Sequence, residues 1–123
     1  GKPGAVQFAS EASAQQIDGN ELYEACRSEN AVMAGFCIGY IVGQVEGQSW
    51  GAFVASEQLM PSVNTQSANK TINELVGHCT PDNASNEQLR DVVLAYLSGS
   101  PESRHESARV LVWLAMRAAF PCS

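Results

Sequence analysis

Four cysteines, at positions 26, 37, 79 and 122, carry the clearest chemistry in this chain of 123 residues. Cysteine thiolates bind zinc when they occur in close pairs such as Cys-x-x-Cys, and no two of these cysteines are that close. An even number of cysteines in a small chain is typical of disulfides formed in an oxidising compartment. The sequence therefore favours two disulfide bonds, for which three pairings are possible.

The two histidines, His78 and His105, are the other candidates for metal binding or catalysis. His78 has no second ligand at a useful spacing, and a hydrogen bond at a helix end explains His105, beside Glu102 and Glu106, better than catalysis does. The sequence lacks a Gly-x-Ser-x-Gly nucleophile motif, and disulfide formation would remove every free thiol. We therefore predict a binding protein with no catalytic residue, metal or cofactor.

Composition narrows the class of protein further. The net charge is −6, without a cluster of Lys or Arg, which argues against binding to nucleic acid. The longest apolar run, residues 31–43, is shorter than the ~18 residues that a membrane-spanning helix needs. We predict a mobile N-terminus over residues 1–10 and a single helical domain over residues 11–123. The opening Gly-Lys-Pro-Gly suggests a mature N-terminus left by removal of a signal peptide that is itself not seen.

The periodicity of the apolar residues predicts an all-α fold, a small bundle of four to five helices. A first helix is expected over Ser13–Cys26, and a longer helix begins near Asn30. A polar stretch follows from Pro61, with one or two helical turns over residues 71–76 that end at Gly77.

Glycine recurs at every fourth position of the long helix. Since each glycine costs about 1 kcal/mol relative to alanine inside a helix, the series needs a structural reason. The interpretation we favour is close packing within the monomer, and the alternative is close approach of a helix from a second subunit. We place Trp50 and Trp113 in the core, although an exposed Trp50 would indicate an interface. The glycines are Gly35, Gly39, Gly43, Gly47 and Gly51, and the expected core stripe is Met33, Phe36, Cys37, Tyr40 and Ile41.

The C-terminal third reads as a helical hairpin. Ser85 and Gln88 fit a capping box, Gly99 is placed to end that helix, and Pro101 fits the first position of the next. A short link forces the two helices to be antiparallel, which would bring Cys79 and Cys122 together. By the same reasoning Cys26 and Cys37 flank the earlier break, so these two disulfides are favoured among the three pairings.

Three short motifs carry a resemblance to a known family. They are Cys37-Ile38-Gly39-Tyr40-Ile41-Val42-Gly43, the Cys79-Thr80-Pro81 start of the hairpin and the terminal Phe120-Pro121-Cys122, and the match includes the whole segment from Cys79 to Cys122. With them the chain resembles the Rap/Tai family, the helical periplasmic immunity proteins of bacterial type VI secretion systems. The resemblance covers about half of the chain and leaves residues 44–78 unmatched, and Thr80 stands where an apolar residue is expected.

The resemblance implies a periplasmic, disulfide-bonded protein, often a homodimer, that binds a peptidoglycan amidase effector and occludes its active site. Loops on a rigid scaffold suit such inhibition. We expect the partner-binding residues in two loops, over 98–103 and 61–70. They are Ser98, Gly99, Ser100, Glu102 and Ser103, and Asn64, Gln66 and Asn69.

The main alternative is an acid- or stress-responsive periplasmic chaperone or scaffold of related helical fold with no toxin partner. A chain with a net charge of −6 would change the sign of its charge on acidification, as that role requires.

Overall fold

A computed structural model describes residues 16–59 and 65–123 of the chain. Within these ranges it contains five α-helices, one 3-10 turn and no β-strand beyond an isolated bridge, which confirms the all-α prediction. The helices are α1 (Gly19–Arg27), α2 (Ala31–Leu59), α3 (Thr65–Val76), α4 (Asn86–Gly99) and α5 (Ala108–Ala119), with the 3-10 turn at Pro101–Ser103. The N-terminus predicted to be mobile lies outside the described residues.

Helix α1 begins later than predicted. A capping box sets its start: the Asp18 carboxylate accepts from the Glu21 N–H at 2.8 Å, and Glu21 accepts from the Asp18 N–H at 2.9 Å. The residues just before this cap are not helical, and the Ile17 carbonyl accepts from the Ala108 N–H at 2.9 Å. The predicted start at Ser13 is therefore wrong over the described part of that range, because this backbone pairs with another segment.

Helix α2 is the longest element and begins where the sequence predicts. The Asn30 side chain accepts hydrogen bonds from the N–H groups of Val32 and Met33, at 2.9 and 3.2 Å. Because it continues for 29 residues, α2 is about 43 Å long. It contacts each of the other four helices, so it is the axis of the bundle.

Helix α3 corrects the second predicted loop. Residues 65–70, which we placed in a loop, lie in the first half of α3, and Asn64 lies outside the described residues. A stretch rich in Ser, Asn and Thr is a poor helix former by itself, but packing against α2 supplies the missing stability. Gly77 ends the helix as predicted, with a positive φ of 87° that favours glycine.

The hairpin of α4 and α5 forms, but its link is longer than predicted. Ser85 caps α4 by accepting from the Gln88 N–H at 3.0 Å. The helix expected to restart at Pro101 is only a 3-10 turn, and α5 begins at Ala108. The backbone between the 3-10 turn and α5 pairs with α1 instead: the carbonyls of Arg104 and Glu106 accept from the N–H groups of Asn20 and Gly19, at 2.8 and 2.9 Å. A continuous helix would have used those carbonyls internally.

Both predicted disulfides are present. Cys26 is bonded to Cys37 and Cys79 to Cys122, each pair with a Cα–Cα distance of 5.0 Å. The first joins α1 to α2, and the second closes the open end of the hairpin, where the Cys79 N–H also donates to the Phe120 carbonyl at 2.8 Å.

The core lies where α1, α4 and α5 meet one face of α2. Of the predicted stripe on α2, Cys37 and Ile41 are fully buried, whereas Met33 and Phe36 are exposed and Tyr40 is half-buried. The rest of the core is supplied mainly by Leu22, Ala25, Leu89, Val93, Leu97, Ala108, Leu111, Val112, Ala115 and Met116. In the part of the chain that is described, no helix combines the length and apolar character needed to cross a membrane.

Candidate partner-binding surfaces

The link between α4 and α5 forms an exposed, well-braced tip. All five residues predicted here are exposed or half-exposed: Ser98 and Gly99 end α4, and Ser100, Glu102 and Ser103 lie in the link. Turn hydrogen bonds from Ser103 to Ser100 and from Glu106 to Ser103, each 3.0 Å, hold the backbone. The Arg104 guanidinium donates to the Leu97 carbonyl at 2.9 Å. The tip therefore loses little conformational freedom if it binds a partner.

Tyr23 of α1 supports this tip from the side. The Arg104 guanidinium lies over its ring, 4.1 Å from the centroid, and Arg27 lies 4.7 Å from the centroid. Hydrogen bonds from Arg27 and then Ser98 lower the pKa of the Tyr23 hydroxyl. The Tyr23 ring thus contacts a cation of α1, Arg27, and a cation of the link, Arg104, and so connects α1 to the link.

The two predicted sets of partner residues lie in different kinds of element, and only the first lies at a loop. Ser98 to Ser103 belong to the tip, whereas Gln66 and Asn69 belong to helix α3. A helical backbone uses its own N–H and C=O groups internally, so in α3 these groups are not free to bind a partner as they would be in the loop that we expected.

A groove of about 700 Å³ runs between α2, the end of α3 and the start of α4. Its walls include the exposed rings of Trp50 and Phe53, stacked with their centroids 5.3 Å apart. Two carboxylates, Glu46 and Asp82, are the charged side chains of its lining. The groove lining thus combines apolar side chains with polar ones and two carboxylates. The prediction that Trp50 lies in the core is wrong, since 66% of its surface is exposed.

His78 lies at the base of the groove and is only 3% exposed. Its Nε2 is 2.9 Å from Oε1 of Gln48 and its Nδ1 is 2.7 Å from Oγ1 of Thr80, so both ring nitrogens are hydrogen-bonded. Burial, and secondarily the charge of Arg117, lower the pKa of His78. The neutral ring therefore links α2 to the segment before α4, which is a structural role.

The other candidates for chemistry are dispersed. His105 is exposed in the link before α5, not in the first turns of a helix as expected. Within residues 16–59 and 65–123, no three His, Cys, Asp or Glu side chains cluster as metal ligands would. Trp113 is half-buried, and its Nε1 donates to the Val76 carbonyl at 2.6 Å.

The glycines of α2 are not closely packed against the rest of the described chain, although Gly47 and Gly51 line a surface hollow beside Trp113. A Cβ built on any of the five would meet no heavy atom within 4 Å, which contradicts the favoured interpretation of packing within the monomer. Seven large apolar side chains of α2 are exposed, at 36–78% of their surface. Six of them lie within about 80° of Gly43 around the helix, and the seventh, Leu59, lies about 160° away. This surface, the glycine face, consists of the five glycines with Val32, Met33, Phe36, Trp50, Phe53 and Val54. Sequence patterns identified its glycines but not its direction.

Comparison with known proteins identifies the class of this helical, doubly disulfide-bonded fold. Residues 18–122 match the Rap1a immunity proteins, and the match spans most of the chain. The chain therefore belongs to the Rap1a immunity protein family. Searches of the curated proteins and of the solved structures find no match. The match begins at the Asp18 cap and ends at Cys122, so it includes both disulfides and the segment 44–78 that the motifs left unmatched.

Proposed function

We propose that this protein is a periplasmic immunity protein that neutralises a type VI secretion effector by binding it. Membership of the Rap1a immunity family is the observation that carries the proposal. Two disulfides with no free cysteine in the chain suit the oxidising periplasm. The protein would act by stoichiometric binding and not by catalysis, as is general for such a family.

The effector would be a peptidoglycan amidase, and the tip between α4 and α5 would occlude its active-site cleft. The tip is exposed, and its backbone is already braced by the turn hydrogen bonds and by Arg104. A braced, narrow projection can enter a cleft without a large entropic cost, which a flexible loop would have to meet. The side chains in contact would include Ser98, Ser100, Glu102 and Ser103.

The experiment that tests this role is co-expression with the product of the neighbouring gene. We expect the two proteins to co-purify, the immunity protein to abolish amidase activity on isolated peptidoglycan, and its periplasmic expression to protect cells from the effector. Absence of both binding and protection would refute the immunity role.

A charge reversal tests the contribution of the tip. Glu102→Arg should weaken binding at least about 10-fold, which corresponds to about 1.4 kcal/mol, if Glu102 faces the effector. Glu74→Arg is the matched control, because Glu74 is an exposed glutamate on α3, which ends near the Cys79–Cys122 end of the hairpin. Equal effects of the two variants, or none from Glu102→Arg, would exclude the tip as the inhibitory element.

The family resemblance also suggests a homodimer, and the glycine face supports this part of the proposal. Exposed Trp and Phe side chains are enriched in protein interfaces and are otherwise costly to leave in water.

A further inference from the structure

Two of the seven basic side chains of this acidic protein converge on one aromatic ring beside the tip. The guanidinium carbons of Arg27 and Arg104 lie 4.7 and 4.1 Å from the centroid of the Tyr23 ring. Because both distances are measured from one point, the two cations are no more than about 9 Å apart. They come from different elements, since Arg27 ends α1 and Arg104 lies in the link.

Neither guanidinium is neutralised by a carboxylate of the described chain. Within residues 16–59 and 65–123 the one ion pair joins Arg90 to Asp91. Glu24 lies one turn before Arg27 on α1 and attracts it, but their charged atoms are more than 4.0 Å apart. The Nε of Arg104 is buried and has no hydrogen-bond acceptor among the described residues. Two positive charges are therefore held close together without a paired carboxylate.

Tyr23 keeps these two charges in place. The face of its ring attracts both guanidiniums, and its hydroxyl accepts a hydrogen bond from Nη1 of Arg27 at 3.2 Å. Hydrogen bonds from Arg27 and Ser98, and then the charges of both arginines, lower the pKa of this hydroxyl, as a positive environment should. The result is a positive site on a chain whose net charge is −6.

The positive site adjoins the tip that we propose to enter the effector's cleft. Ser98, one of the predicted partner-binding residues, interacts with the Tyr23 hydroxyl, and Arg104 directly follows Ser103 of the tip. Arg27 is exposed and Arg104 is half-exposed. A protein that binds the tip can therefore reach both cations.

We propose that Arg27 and Arg104 together bind a carboxylate of the effector, from an Asp or Glu side chain at the rim of its active-site cleft. This inference rests on the proposed immunity role and adds the chemistry of one contact to it. A guanidinium binds a carboxylate through charge-assisted N–H···O hydrogen bonds, and a carboxylate between two guanidiniums relieves their mutual repulsion. Overall charge predicts the opposite, since a chain with a net charge of −6 repels acidic partners.

The spacing and the rigidity of the two cations suit one carboxylate. With about 2.8 Å from nitrogen to oxygen on each side, a carboxylate can bridge guanidinium carbons about 8–9 Å apart. Long side chains normally lose conformational freedom when they bind. Here the Tyr23 ring already holds Arg27, and a hydrogen bond to the Leu97 carbonyl, at 2.9 Å, already holds Arg104. The site is therefore largely formed before the effector arrives.

Arg27→Gln tests the site, and Arg117→Gln is its matched control. Both arginines are exposed and both lie 4.7 Å from an aromatic centroid, Arg117 over Trp113 in the last turn of α5. Each variant thus loses one charge and one cation–π contact, and both should keep the wild-type circular dichroism spectrum. Arg104 is the less suitable position for this test because its side chain also holds the Leu97 carbonyl.

The measurement is the affinity for the purified product of the neighbouring gene, by surface plasmon resonance. Arg27→Gln should bind about 10-fold more weakly than wild type, and Arg117→Gln should change the affinity by less than about 2-fold. Arg27→Lys keeps the charge but not the planar fork, so it should recover part of the loss. A merely structural role for the Arg27 side chain would not give this recovery.

A double-mutant cycle identifies the group that the site binds. Each acidic residue around the effector's cleft is replaced by its amide, one at a time. One of these changes should weaken binding to the wild-type protein at least about 5-fold and have little further effect on Arg27→Gln. This coupling would show that Arg27 faces that carboxylate.

Three results decide between the site and the immunity role. If the wild type binds the effector and Arg27→Gln binds equally well, the positive site is excluded and the immunity role stands. If Arg27→Gln binds weakly but no effector carboxylate is coupled to it, the proposed ligand is wrong and Arg27 acts by bracing Tyr23. If the wild type does not bind, the immunity role fails and the site loses its partner.

Discussion

Gly19→Ala should destabilise the protein sharply, although it is the mildest change possible at a helical position. A Cβ at Gly19 would be 2.8 Å from the Arg104 carbonyl oxygen, 3.0 Å from the Arg104 Cα, and closer still to the Leu111 side chain. The Leu111 methyl can move, but the Arg104 backbone cannot move without loss of its pairing with α1. Hydrogen bonds from Gly19 to Glu106 and from Asn20 to Arg104 would weaken together.

The magnitude follows from these contacts. Overpacking of a rigid site costs about 1–3 kcal/mol, and weakening a backbone hydrogen bond costs about 1 kcal/mol more. We therefore expect Gly19→Ala to lower the free energy of unfolding by about 2–4 kcal/mol. For a domain of this size that loss corresponds to a decrease in Tm of about 8–15 °C.

Gly99→Ala is the matched control for this prediction. Gly99 has open space at its Cβ position and no positive φ, so alanine should stabilise the protein by about 0.4–1 kcal/mol by restricting the unfolded chain. Urea denaturation followed by circular dichroism measures both variants on one scale. A Gly19→Ala variant as stable as wild type would show that the contact between α1 and the Arg104–Ser107 backbone is not rigid, and would refute the reasoning.

Two further predictions concern the disulfides and His78. Serine replacement of Cys79 and Cys122, whose disulfide closes a 43-residue loop, should lower the free energy of unfolding by about 4 kcal/mol. The same change at Cys26 and Cys37, which close an 11-residue loop, should lower it by about 3 kcal/mol, because the longer loop restricts the unfolded chain more. Denaturation curves that show the reverse order would contradict the entropic account. The folded pKa of His78 lies below its unfolded value of 6.5, so on acidification the unfolded chain takes up the proton first. The contribution of neutral His78 to the free energy of unfolding is therefore complete above about pH 6.5 and is lost as the pH falls through the folded pKa. The slope of this loss is at most about 1.4 kcal/mol per pH unit. His78→Gln should remove this part of the decline in unfolding free energies measured between pH 7 and 5, and an unchanged slope would assign the decline to other groups.

The two ends of the Gly19 contact show where sequence patterns fail. The Asp18–Glu21 capping box is readable in the sequence, yet apolar marks at Ile17 and Leu22 suggested a longer helix from Ser13. Pro101 is a sound signal for a helix start and does begin a 3-10 turn. Neither local signal reveals that residues 17–20 and 104–108 exchange backbone hydrogen bonds, because that pairing is between segments more than eighty residues apart.

Some features of the candidate surfaces can likewise be predicted from the sequence, and others cannot. The exposed tip at residues 98–103 was predictable, since a helix stop, a proline and polar side chains occur together there. The assignment of residues 65–70 to a loop failed because propensity is a weak guide when a neighbouring helix supplies the packing. The groove beside Trp50 involves α2, α3 and α4 at once, so no local pattern could indicate it.

By itself, the sequence determined the helical class, favoured the correct two of the possible disulfide pairings and pointed to the family, because each depends on spacing along the chain or on short motifs. The four-residue glycine spacing likewise established that these residues share one side of α2. Only the tertiary structure decided which side that is: Cys37 and Ile41 are buried against α1, α4 and α5, and Gly43 is left facing outward. Periodicity relates the residues of a helix to one another, whereas the direction of the core depends on the elements that pack around it.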